Sequence, residues 1–252
     1  MSTDERPRDL YDRSAGRWQR RAPSSLSDFT GRPAVFALCE PVEGKRVIDL
    51  GCGEGYCSRE LRRRGAASVI GADISEQMIE LARAQEAEQQ LGIEYQVGDI
   101  RNLDVADDTY DLATAVFVFN YITTEEMTDA LTEIRRILAP GGSFVFSVPH
   151  PAFPFLRDNT APFYFDFEDR GYFSARDTRN HGEIWRIDGT PLAVQMVHKT
   201  FEDYFVALRK AGFDKLPEVR ELRVLEEHLA EHPEFMGPIA DVPLHVAFRV
   251  AK

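Results

Sequence analysis

From Arg46 to Val148 the chain alternates between two apolar patterns. Short unbroken apolar runs read as strands buried on both faces, and segments with apolar residues three and four apart read as the helices joining them. The runs predict strands over Arg46–Leu50, Ser68–Ala72, Glu94–Val97, Asp111–Phe117 and Ser143–Val148. Between them, helices are predicted over Tyr56–Arg64, from an N-capping Ser75 to Leu91, and over Glu125–Leu138, where Pro140-Gly-Gly142 stops the last. Two earlier helices are predicted, Asp4–Arg20 and Arg32–Cys39. Strand and helix in strict alternation imply a doubly wound, mostly parallel α/β sheet.

The alternation breaks after Val148. Residues 149–199 carry Phe153, Phe155, Phe163, Tyr164, Phe165, Phe167, Tyr172, Phe173 and Trp185, with a predicted hairpin of Glu183–Ile187 and Leu192–His198 around Asp188-Gly189. A helix over Phe201–Ala211 and strands over Pro217–Val224 and Leu244–Val250 then complete a seven-stranded sheet. The expected organisation is a single domain, 1–252. It divides into an N-terminal helical lid segment (1–44), a ligand-binding half (45–148), an aromatic-rich insertion or cap (149–199) and a C-terminal helix with two strands (200–252).

Composition narrows the partners. With 30 basic against 42 acidic residues the formal charge is −12, which repels nucleic acid at long range. The one tight basic run, Arg62-Arg63-Arg64, sits at a predicted helix end, where cations favour the macrodipole. No apolar stretch reaches the ~18 residues of a membrane span, and Met1–Asp9 lacks the apolar centre of a signal peptide. Three cysteines, Cys39, Cys52 and Cys57, offer neither a disulfide framework nor a metal-ligand spacing, so no metal is expected and the chain reads as reduced and cytoplasmic.

The densest chemistry is Asp49-Leu-Gly-Cys-Gly-Glu-Gly55, where the first strand turns into a helix. Alternate glycines allow positive φ and bring a ligand against bare backbone, at the carboxyl edge where open α/β sheets bind ligands. A dinucleotide turn needs a third glycine where Tyr56 stands. Asp49 also repels a pyrophosphate but suits an ammonium or a sulfonium. A second acid, Asp73, follows the next strand where a ribose diol needs an acceptor.

These residues, with Gly71-Ala-Asp-Ile-Ser-Glu-Gln-Met78, Val97-Gly-Asp-Ile100, Tyr110-Asp-Leu-Ala-Thr-Ala115 and Leu138-Ala-Pro-Gly-Gly142, resemble the class I S-adenosylmethionine-dependent methyltransferases, in the broad bacterial small-molecule group. The resemblance covers Arg46–Val148 and implies a Rossmann-like fold with S-adenosylmethionine as cofactor. It further implies that Asp49 and the backbone of Gly51 and Gly53 lie beside the methionine half, and that Asp73 accepts the ribose hydroxyls. Ile74 and Met78 pack on adenine, Asp99 and the backbone of Ile100 read its edge, and Ala115 and Phe117 touch the methionine through backbone. Tyr11 and Trp18 are similar to the N-terminal aromatic segment that many such enzymes fold over the cofactor.

Acceptor-side candidates come from position. His150, between two prolines just past the fifth strand, is the predicted proton acceptor or acceptor-positioning group. Tyr121 and Asn120 follow the fourth strand and face the site, Tyr121 as a second catalytic candidate, while Asn120, with Tyr164 and Trp185 of the insertion and Trp18, is predicted to hold the acceptor. The implied activity is in-line methyl transfer to a small molecule, with no nucleic-acid or membrane partner. No motif specifies the atom methylated or the oligomeric state. Two other readings stay open on the residues alone: a non-catalytic protein that binds the cofactor as a sensor, and an NAD-dependent oxidoreductase.

Overall fold

The computed structural model describes residues 7–18 and 22–252. Three helices come first: α1 (Pro7–Trp18), α2 (Leu26–Thr30) and α3 (Arg32–Cys39). Then follow β1 (Arg46–Leu50), α4 (Tyr56–Arg63), β2 (Ser68–Asp73), α5 (Glu76–Gln89), β3 (Glu94–Val97), β4 (Tyr110–Val116), α6 (Thr124–Ile137) and β5 (Leu138–Pro149). The remainder is β6 (Phe163–Phe165), β7 (Arg179–Trp185), β8 (Pro191–Val197), α7 (Phe201–Lys210), β9 (Glu218–Leu222), α8 (Glu226–Glu231), α9 (Pro233–Met236) and β10 (His245–Ala251). Residues 4–6, 19 and 20 of the predicted first helix lie outside the described residues.

Seven strands form one sheet in the order β3-β2-β1-β4-β5-β10-β9. Neighbours from β3 to β5 run parallel, and β10 lies antiparallel to both β5 and β9. Chain order reverses between β1 and β4, the switch point at which a crevice opens at the strands' carboxyl ends. One face packs Ile48, Ala113, Phe144, Phe146 and Phe248 beneath α6 and α7; the other packs Val47, Val69, Leu112 and Val145 beneath α3, α4 and α5. The continuous apolar runs of the sequence reflect this burial from both sides.

Local chemistry sets the element ends. Ser75 caps α5, accepting from the Met78 amide at 3.2 Å, and Thr123 with Glu126 forms a reciprocal box at the start of α6. Arg62 donates to the carbonyls of Leu91 and Ala66, Arg63 to Gln89, and Arg64 to Glu40 and Glu60, so all three members of the basic run serve the protein's own surface. β5 starts five residues earlier than predicted. Its Gly142 allows this, because a Cβ there would stand 2.8 Å from the Ala139 carbonyl and 3.1 Å from that of Tyr110.

The insertion holds one strand that the hairpin prediction missed. β6 pairs antiparallel with β7, which pairs with β8, giving a second, three-stranded sheet. Phe163 and Phe165 face a third apolar cluster with Phe153, Ile184, Leu192 and Val194, closed by Leu26 of α2 and Met236 of α9. Gly182 is where β6 crosses closest: a Cβ would lie 2.2 Å from the Tyr164 carbonyl oxygen. Gly182→Ala is therefore expected to destabilise the fold by about 1–3 kcal/mol, read as a lower urea midpoint with an unchanged slope.

Candidate functional site

β1 delivers the chain into the glycine turn at the switch point. Gly51 has φ 65°, and a Cβ there would fall 2.4 Å from a Val118 methyl, so both its backbone and its space demand glycine. Gly53 has φ 55° and nothing within 4 Å of where a Cβ would stand, leaving open space over bare backbone. Its amide donates at 2.8 Å to one oxygen of Asp73, whose other oxygen accepts from the Ser75 amide at 2.9 Å. Burial raises the Asp73 pKa, and those two amides pull it back.

Asp49, buried at the end of β1, accepts from the Ser58 hydroxyl at 2.6 Å and the Thr114 hydroxyl at 2.9 Å. Its partners are hydroxyls rather than the loop amides. Burial pushes its pKa up to about 6 against the two hydroxyls, and among the described residues no cation is bonded to it. A cationic ligand would favour its charged form. Asp99 is only partly buried and is gripped by Arg101, whose Nε lies 2.9 Å from one carboxylate oxygen and whose terminal nitrogen lies 2.6 Å from the other. That pairing holds the Asp99 carboxyl below the usual carboxylate range.

α1 lies over these acids. Its Asp12 accepts from the Ser75 hydroxyl at 2.5 Å, and its Tyr11 hydroxyl bonds that of Tyr121. The Tyr11 ring sits 5.4 Å from both Trp18 and Tyr121. Burial drives the Tyr11 pKa well up, with Tyr121 adding to the shift. The segment bearing Asn120 and Tyr121 is fixed from below by buried Lys199, whose ammonium donates to the carbonyls of Phe119 at 2.9 Å and Val197 at 3.2 Å, and to that of Ile122.

One cavity of about 720 Å³ joins these parts, within the usual size of small-molecule sites. It is lined by Tyr11, Trp18, Asp49, Gly51, Gly53, Asp73, Ile74, Met78, Asp99, Ile100, Phe117, Asn120 and Tyr121 among the predicted residues. Beyond Phe117 its lining continues to Phe163, Phe165, Ile184 and Val194 of the second sheet, an apolar chamber, with Arg32, Arg179 and His245 among the cavity's ionisable groups. Among the described residues, no cluster of three His, Cys, Asp or Glu is arranged to hold a metal, and no helix is long and apolar enough to cross a membrane.

Four predicted residues do not line the cavity. His150 Nδ1 accepts the Ala152 amide at 3.1 Å, so Nε2 bears the proton and donates to Glu221 at 2.9 Å. Both nitrogens are engaged in holding the turn after β5 against β9. Tyr164 and Trp185 sit on the outer face of the second sheet, their rings 5.8 Å apart, because strand alternation turns Phe163, Phe165 and Ile184 inward instead. Ala115 points into the core below the sheet.

The residues that sequence reasoning missed are Arg32, Arg179, His245 and the inward faces of β6–β8. The Phe163-Tyr-Phe165 alternation carried a signal for the last. His245 carried none, since it reads as the first residue of a strand. It is 1 % exposed, and neither ring nitrogen has a partner among the described residues, an arrangement costing about 1–3 kcal/mol for each unmet group. Burial drags its pKa down to about 3, with the charge of Arg32 acting in the same direction. Nitrogen-15 imidazole spectra should therefore show His245 still neutral at pH 5. An imidazolium signal from it above that pH would mean the ring is solvated.

Comparison with known proteins bears on the cavity. Residues 47–142 match the protein family described as a methyltransferase domain. An uncharacterized protein of Haemophilus influenzae is 34% identical over 136 residues, 52% of this chain and 53% of its own length. The demethylmenaquinone methyltransferase of Deinococcus radiodurans is 34% identical over 110 residues, 43% of this chain and 45% of that protein. The chain thus spans about half the length of the curated relatives it matches. The crystal structure of an S-adenosylmethionine-dependent methyltransferase from Mesorhizobium loti superposes with a TM-score of 0.66 at 27% identity, covering 87% of this chain and 96% of that one.

Proposed function

We propose that this chain, whose residues 47–142 match a methyltransferase domain and whose fold matches that of an S-adenosylmethionine-dependent methyltransferase, methylates a small-molecule acceptor. The observation that carries the reading is the one cavity that runs from Asp99 and Asp73, past the glycine turn and Asp49, into an apolar chamber. The site residues fit S-adenosylmethionine. Gly53 leaves a bare cradle, Asp73 keeps lone pairs for a ribose diol, and Asp49 is a buried carboxylate bonded, among the described residues, to hydroxyls and to no cation. Bound there, the cofactor supplies a methyl group already activated on a sulfonium.

In this reading Asp73 and Asp99 hold the nucleoside, with Ile74, Met78 and the Ile100 backbone against the adenine. Asp99 does so while sharing Arg101. Asp49 faces the charged end, and Gly51 with Phe117 lies along the methionine. Tyr11, Trp18 and Tyr121 close the roof and exclude water, so that an acceptor seated beyond Phe117 is aligned rather than solvated. A formal charge of −12 and a chamber walled by four apolar side chains favour a small apolar acceptor over a nucleic acid. The Deinococcus relative, named for demethylmenaquinone, supports the same class.

Incubation with methyl-tritiated cofactor and separated cell extract tests this. The expected result is label in the low-molecular-weight organic fraction. Label confined to RNA or protein would contradict the small-molecule acceptor. Intact cofactor binding with no transfer to any fraction would favour the sensor reading.

A further inference from the structure

We propose that Arg179 determines acceptor specificity: its guanidinium takes the carboxylate of the acceptor, a small acid with an apolar body. This rests on the methyltransferase reading and names its substrate class. Four arginines line the cavity among the described residues, and three of them already hold a carboxylate. Arg8 faces Asp12 at 3.6 Å, Arg32 holds Asp28 at 2.7 Å, and Arg101 bridges Asp99 at 2.6 Å and Glu126 at 2.5 Å. Arg179 forms no ion pair among the described residues. One terminal nitrogen donates to the Tyr121 carbonyl at 3.3 Å and to Gln195 Oε1 at 3.2 Å, both uncharged and both long contacts.

The acids nearest in sequence are occupied elsewhere. Asp177 accepts from the amide and hydroxyl of Thr124, at 2.8 and 3.1 Å. Glu183, farther along β7, accepts from the Tyr164 hydroxyl at 3.3 Å. Arg179 opens β7 on the opposite side of the strand from Ile184, so it reaches the cavity beside Tyr121 rather than through the apolar wall. It is half-buried, and an anion meeting it there is partly withdrawn from water. A guanidinium in that setting offers a carboxylate two parallel charge-assisted bonds.

The charge balance narrows the anion. Asp49, Asp73, Asp99 and Glu126 line the same cavity, and the chain as a whole carries −12. One unpaired guanidinium among them suits a single negative charge, whereas a phosphate monoester, with close to two, meets more repulsion than attraction. Phe163, Phe165, Ile184 and Val194 belong to the same lining. An acceptor that spans the two regions gives its carboxylate to Arg179 and lays its apolar body against those side chains. The carboxylate is then a handle, fixing which end of the acceptor points to the cofactor.

The test titrates benzoate, phenylacetate and octanoate, each beside its uncharged primary amide, into protein saturated with S-adenosylhomocysteine. For wild type, at least one acid is expected to bind about tenfold or more tighter than its amide. Arg179→Gln, which keeps hydrogen-bond donors without the charge, should abolish that preference and still bind S-adenosylhomocysteine as wild type does. Arg179→Lys, which keeps the charge and loses the fork, should retain part of it. Equal binding of acids and amides by wild type, or no binding of any acid, would overturn the assignment whether or not the variants fold. An unchanged preference in Arg179→Gln would also overturn it. So would a tenfold loss of S-adenosylhomocysteine affinity in a variant that melts as wild type does, because the arginine would then serve the cofactor. Failure of wild type to bind S-adenosylhomocysteine would overturn instead the methyltransferase reading beneath it.

Discussion

Replacing Asp73 with Ala is expected to weaken binding of S-adenosylmethionine and S-adenosylhomocysteine by at least about 100-fold, corresponding to roughly 3 kcal/mol. The carboxylate joins two tasks. It fixes the glycine turn through the Gly53 amide and the start of α5 through the Ser75 amide, and in our reading it holds the ribose hydroxyls with its remaining lone pairs. Hydrogen bonds to a charged acceptor in a half-buried site are the strong kind. Asp73→Asn separates the tasks, because one amide oxygen still accepts from backbone while the charge is gone. Asn leaves one of the two backbone amides facing an NH2 group, so some fall in urea midpoint is expected; if the ribose contacts dominate, the loss of affinity should be much the larger effect, and largely present at temperatures where the variant is fully folded. Equal affinity of Asn and wild type by calorimetry would place the nucleoside elsewhere.

The second large effect is a pH dependence set by Asp49. Its pKa of about 6 in the free protein means that below pH 6 the group is mostly protonated. Both adenosyl ligands carry an ammonium, and a cation binds the charged carboxylate, so each unit of acid below pH 6 costs close to tenfold in affinity. Asp73, also raised by burial, acts in the same direction. Asp49→Asn should flatten the profile between pH 7 and 5 and weaken binding at pH 7. Stability should move the other way. A carboxyl whose folded pKa lies above its unfolded 3.8 favours the folded state when protonated, and that advantage is lost as pH rises through about 6. The variant should therefore melt no lower than wild type at pH 7. A parallel fall in melting temperature and affinity would make Asp49 a structural residue only.

How far the sequence reaches follows from what each signal encodes. β1 and β3 have the predicted ends because continuous apolar runs flanked by polar residues report burial on both faces. The glycine turn and its two acids are read from adjacent residues, and their mutual geometry follows from the parallel pairing of β1 with β2. His150 and His245 mark the limit. Both stand at the same sheet edge, His245 paired with Pro149 across the β5–β10 ladder. Which imidazole meets the cavity depends on the antiparallel register of β10 and on Glu221 of β9, neither of which has a local signature. Tyr164 and Trp185 lie off the cavity lining for a like reason, since an aromatic-rich segment does not declare its inner face until its pairing is known. The inner wall of the second sheet needed β6, a three-residue strand too short to stand out.

The cavity suits an adenosyl ligand carrying a cation better than a dinucleotide. Calorimetric titration of wild type with S-adenosylhomocysteine and, separately, with NAD tests it most directly. Micromolar, one-to-one binding of S-adenosylhomocysteine and no heat from NAD are expected. Preferential binding of NAD would contradict it and turn the reading of Asp49 and the glycine turn around.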